Sequence, residues 1–129
     1  MRNIRIITNN PRVYEAYPNA SEFMDVGAEG VLVAVRDRVH LGAVILNHPL
    51  SGGVLPGISP YKSLIVTNVC DTDDLKTDFS SLALIESALK ALKKPHSGFE
   101  GYDSQALEDF EVLDLDILGS AVVSLKLSY

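Results

Sequence analysis

The chain has 129 residues, 47% hydrophobic and 22% charged, with a formal net charge of −6 at pH 7 and a pI near 4.9. That size and balance fit one globular domain spanning residues 1–129 and exclude a disordered or collagen-like chain. The acidic field disfavours nucleic acid as a partner, and the single cysteine, Cys70, excludes an internal disulfide.

The longest apolar runs, such as residues 31–35, are far shorter than the roughly 20 residues of a membrane helix. Residues 1–8 lack the apolar run and small-residue cleavage site of a signal peptide, so a cytoplasmic location is expected.

In chain order, Ile4–Thr8 is a β-branched run ended by Asn9-Asn10-Pro11 and reads as a buried strand delivering a polar loop. Residues 14–18 suggest a helical turn and residues 23–26 a brief strand. From Ala28, the spacing of Val31, Leu32, Val35 and Val39 predicts a helix, with Glu29 in its first turn, basic residues near its end and Gly42 beyond.

Residues 43–46 form a compact apolar run, again followed by a polar loop, Asn47-His48-Pro49-Leu50-Ser51-Gly52-Gly53. The segment 47–60 has no periodicity, which in a small domain points to a functional or mobile loop. A strand over 63–69 follows, then the acidic residues Asp71, Asp73 and Asp74.

Leu75, Phe79, Leu82, Ile85, Leu89 and Leu92 trace one helical face, with Asp78 or Ser80 as N-cap and Pro95 as the stop. A polar linker over 95–106, a strand over 109–113 and a closing helix capped by Asp114 and running to Leu125 complete the pattern. The alternation predicts a layered α/β/α sandwich with four to five strands, mostly parallel or mixed. The 43–46 and 63–69 strands lack a helical crossover between them and are free to pair antiparallel.

Ligands of open α/β sheets gather where loops leave the carboxyl ends of strands. Thr8, Asn9 and Asn10 form one such loop, and His48, Ser51, Gly52 and Gly53 another. If the 63–69 strand runs back antiparallel, Tyr61 and Lys62 join them. Gly52 and Gly53 either let backbone N–H groups cradle an anion, with Lys62 as counter-charge, or simply permit a tight bend. Asn9 and Asn10 are equally amide ligands or turn formers.

His48, Ser51 and Lys62 are the candidate catalytic groups, although no nucleophile-elbow motif surrounds Ser51. His40, His48 and His96 are too scattered for a zinc site, and the acidic group near Asp71 reads as solvated, so no metal is expected. Neither a P-loop nor a dinucleotide fingerprint occurs, and no cofactor is expected.

Ile6-Ile7-Thr8-Asn9-Asn10-Pro11, Val35-Arg36-Asp37, His40-Leu41-Gly42, His48-Pro49-Leu50-Ser51-Gly52-Gly53 and Pro60-Tyr61-Lys62-Ser63 together resemble the GrdX family nearly throughout the chain. Members of that family are small proteins associated with the glycine, sarcosine and betaine reductase systems of amino-acid-fermenting anaerobes. The resemblance implies an accessory role, with a small anionic ligand or a reductase component as partner and homodimerisation left open. The chain lacks the cysteine pairs of a redox subunit.

Overall fold

The computed structural model describes residues 4–49, 59–68, 77–92, 99 and 101–126. Within them lie β1 (Ile4–Thr8), α1 (Pro11–Ala16), β2 (Ser21–Phe23), α2 (Ala28–His40), β3 (Ser63–Thr67), α3 (Phe79–Leu92) and α4 (Ser104–Ser124). The α/β class expected from the alternation is present, but with a smaller sheet.

The sheet has three described strands in the order β2-β1-β3, with β1 parallel to β2 and antiparallel to β3. In the antiparallel register Ile4 faces Thr67, Ile6 faces Ile65 and Thr8 faces Ser63. Side chains alternate across a strand, so these pairs share one face while Ile7, Leu64 and Val66 share the other. Both faces are buried. Ile7, Leu64 and Val66 pack with α2 and α3 through Leu32, Val35, Ile85 and Leu92. Ile4, Ile6 and Ile65 pack with Val13 of α1 and with Leu118 and Val122 of α4.

Four to five strands are not formed among the described residues, and residues 43–46 explain part of the difference. This run meets β3 only as an isolated antiparallel bridge, Ile45 to Val66. Side chains take ladder positions there: Val44 N donates to Thr67 Oγ1 at 2.9 Å, Ile45 N to Ser81 Oγ at 2.9 Å and Ile65 N to Asn47 Oδ1 at 2.7 Å. The bridge is antiparallel, as the missing crossover allowed.

The expected strand over 109–113 is instead the middle of α4, a continuous helix of 21 residues capped by Asp103, whose side chain accepts from Ala106 N at 2.8 Å. Asp114 is therefore a mid-helix residue rather than a cap. Apolar residues at 110, 112 and 113 mimic a short strand, and a run of that length does not separate the two periods. The linker expected over 95–106 yields residues 104–106 to the first helical turn.

The other elements follow their local signals with shifted ends. Asn10 caps α1 by accepting from Arg12 N, with Pro11 at the first helical position, where its missing N–H and fixed φ suit a helix start. The short strand lies at Ser21–Phe23, two residues before its expected place. Helix α2 spans Ala28–His40 and is closed off just beyond by Gly42, whose φ of 100° is left-handed, with Gly42 N bonded to Val39 O. Helix α3 begins at Phe79 after Asp78, which accepts from Ser81 N and Ser81 Oγ. Pro95 lies outside the described residues.

Candidate functional site

Strand parity and helical spacing together build the site. Leu118 and Val122 seat α4 against Ile4, Ile6 and Ile65, and Asp114 stands one turn before Leu118 on the same stripe. The isoleucine ladder ends at Thr8 and Ser63, so α4 carries a carboxylate to the point where the sheet face turns polar. Asp114 Oδ2 accepts from Ser63 Oγ at 2.7 Å and from Asn10 Nδ2 at 3.0 Å.

These bonds have a fixed polarity when Asp114 is ionised. With the Ser63 proton committed to Asp114, the Thr8 hydroxyl donates to Ser63 Oγ at 2.7 Å, and Asn10 N donates to Thr8 Oγ1 at 3.0 Å. A backbone amide, two hydroxyls and a carboxylate are thus connected in series. Thr8 and Asn10 are completely buried.

Of the two polar loops expected from the sequence, the first and the described residues 47–49 of the second each bond to Lys62 or Ser63. Because β3 runs antiparallel to β1, residues 61–63 enter beside Thr8 and Asn9. Asn9 fixes that entry: its Oδ1 accepts from Lys62 N at 2.9 Å, while its Nδ2 donates to Pro60 O at 2.9 Å and Val26 O at 2.8 Å. On the other side of β3, Asn47 accepts from Ile65 N and donates to Ser63 O. Lys62 Nζ reaches across to donate to Pro49 O at 2.8 Å.

Asn47, His48, Tyr61, Lys62, Ser63 and Asp114 border a cavity of about 30 Å³ floored by Leu118. Exposed His48 and Leu113 stand at its rim. Both side-chain N–H groups of Asn9 and of Asn10 are committed within the protein, the latter to Glu111 O and Asp114. These two residues shape the site rather than face it. Ser51, Gly52, Gly53, Cys70 and the acidic residues 71–74 lie outside the described residues.

A second carboxylate, Glu111, lies one turn before Asp114. It accepts from Tyr61 OH at 2.9 Å on Oε2 and from Arg12 Nε at 3.0 Å on Oε1, tying the segment that leads into β3, and α1, to α4. Arg12 also reaches Glu108 at 2.9 Å. Neither Glu111 nor Asp114 stood out in the sequence as a site residue. The signal was there: read as helix, positions 111, 114, 118 and 122 fall on one stripe, placing two acids where core residues are expected.

Burial shapes the charge states. It raises the Asp114 pKa above the ordinary carboxylate range, against the opposing pull of the Ser63 and Asn10 hydrogen bonds and the Lys62 charge. Burial lowers the Lys62 pKa, with Asp114 resisting. The Tyr61 phenol is pushed up to about 12 by burial and by its hydrogen bond and proximity to Glu111. Among the described residues no cluster of His, Cys, Asp or Glu is arranged to hold a metal ion. No described helix is long and apolar enough to cross a membrane.

Fold and site together define a small mixed α/β protein with a cavity of mixed charge at the strand ends. Residues 5–123 match the family model described as GrdX-like protein, and the chain belongs to that family. No curated protein and no solved structure matches it.

Proposed function

We propose that the protein is a non-enzymatic accessory component of the glycine, sarcosine and betaine reductase system that acts in the cytoplasm by binding a small ligand with an anionic end. The observation that carries this reading is the placement of Lys62. Its backbone is pinned by Asn9 and its ammonium is tethered at Pro49 beside a cavity, retaining further N–H groups to offer an anion. Membership of the GrdX-like family supports the reductase context. An ordered ammonium in a partly dry recess binds a carboxylate or phosphate more strongly than one on an open surface.

Calorimetric titration with acetate, phosphate and acetyl phosphate tests the ligand, and co-purification with reductase subunits tests the context. Saturable binding that is lost in Lys62→Met is the expected result. Absence of binding to every anion, with no reductase association, would overturn the proposal.

A second reading is a small hydrolase or transferase using His48, Ser51 and Lys62. It is favoured by one observation, that His48 and Lys62 border the same cavity. Turnover of acyl- or phosphoryl-ester substrates that disappears in both His48→Ala and Ser51→Ala would select it over the binding reading.

A further inference from the structure

We infer that the cavity takes a compact zwitterion, with the ligand's carboxylate on Lys62 and its ammonium on Asp114, as the smallest amino acids would present them. The inference rests on the binding reading above and narrows it from anions in general to a ligand carrying both charges.

Lys62 and Asp114 border one cavity with opposite formal charges, yet they form no ion pair within 4.0 Å. The ion pairs among the described residues join Arg5 and Arg38 to Glu22, and Arg12 to Glu108 and Glu111. Each cavity charge is held instead by neutral groups. Lys62 Nζ donates to the Pro49 carbonyl, while Asp114 accepts from the Ser63 hydroxyl and the Asn10 amide. Both of those bonds fall on Oδ2, which leaves Oδ1 as the acceptor available to the cavity.

Opposite charges taken partly out of water normally offset their lost hydration by direct contact. Here both line one cavity without an ion pair between them, and a molecule with complementary ends would join them. A simple anion on Lys62 would face the Asp114 carboxylate, and a simple cation on Asp114 would face the Lys62 ammonium. Only a ligand with both ends meets opposite charge at each wall, and like-charge opposition discriminates against the others.

Size sets the second criterion. The cavity that both charges line is small, at about 30 Å³. The charged ends of glycine or β-alanine fit that scale; a bulky side chain does not.

The test is isothermal titration of the full chain with glycine, β-alanine, leucine, acetate and methylammonium. We expect glycine or β-alanine to bind at least tenfold more tightly than acetate or methylammonium, with no heat from leucine. Asp114→Asn, nearly isosteric and still able to accept from Ser63, should erase that preference while leaving acetate binding equal or stronger. Lys62→Met should abolish both.

If acetate binds as tightly as glycine and β-alanine in the wild type, the zwitterion inference fails while the anion-binding reading stands. If none of the five binds and phosphate is also silent, both fail. Should Asp114→Asn not fold, as judged by circular dichroism, the wild-type preference between glycine or β-alanine and acetate decides alone.

Discussion

Asn9 and Lys62 bond to each other twice: Lys62 N donates to Asn9 Oδ1 at 2.9 Å, and Asn9 N donates to Lys62 O at 3.4 Å. The side-chain bond extends the β1–β3 pairing past its last ladder pair, Thr8 and Ser63. The cation of the site is therefore positioned by an amide with no charge of its own.

Asn9→Ala would strand the Lys62 amide and the Pro60 and Val26 carbonyls in a largely buried setting. The expected loss is roughly 2–4 kcal/mol, because each unsatisfied buried group costs about 1–3 kcal/mol and the losses overlap. Urea denaturation checks it; a loss below about 1 kcal/mol would mean that water replaces the amide.

Glu22 links strand to helix, accepting from Arg5 at 3.1 Å and Arg38 at 2.7 Å. Burial alone would raise its pKa, but the two arginines outweigh burial and leave it lowered. A depressed folded-state value gives stability that is present above the unfolded value of about 4.3 and lost as pH falls through the folded one. Since these side chains are about one third exposed, solvent screening limits the effect to roughly 0.5–1 kcal/mol. Glu22→Gln should lose that amount at pH 7 in low salt, and the gap should close below about pH 4 or in molar salt.

Tyr61 should titrate late. Its folded-state pKa of about 12 exceeds the ordinary value of about 10, so the Glu111 bond stabilises fully below pH 10 and is lost as pH rises through about 12. Absorbance at the tyrosinate band should show a phenol ionising near pH 12, and Tyr61→Phe should remove that phase. The variant should also lose roughly 1–2 kcal/mol, since Glu111 gives up a donor but keeps Arg12.

Gly30 in the first turns of α2 has no room for a methyl group: a Cβ there would lie 2.8 Å from Val26 Cβ and Cγ2. Alanine gains about 1 kcal/mol in helix propensity over glycine, whereas such overpacking costs typically 1–3 kcal/mol. Gly30→Ala should therefore be destabilising on balance, by up to about 2 kcal/mol in thermal or urea unfolding. A more stable variant would show that Val26 moves aside freely.

The strongest patterns were legible. The β-branched run before Asn9 is β1, and the apolar spacing from Ala28 with Gly42 beyond it is α2. Tyr61 and Lys62 could be placed at the site because an antiparallel return past Thr8 brings them there.

What escaped had physical reasons. Strand β2 has three residues, too few for a period to show. Residues 43–46 read as a strand, but side-chain hydroxyl and amide groups take some of their ladder positions. In α4 the acids at 108, 109, 111, 114 and 116 interrupt the apolar stripe, so the helix seemed to begin late and Asp114 resembled a cap. The carboxylate escaped because its stripe shows only when residues 109–113 are read as helix.

The bond from Asn10 to Asp114 spans 104 positions of the chain, and the Lys62 tether comes from between them. Such a recess is a property of the finished tertiary structure, since no short fragment contains its walls. Any molecule bound there stabilises the whole native state against unfolding in proportion to the logarithm of its concentration. Occupancy and global folding are thus thermodynamically coupled, and a rise in melting temperature measures both.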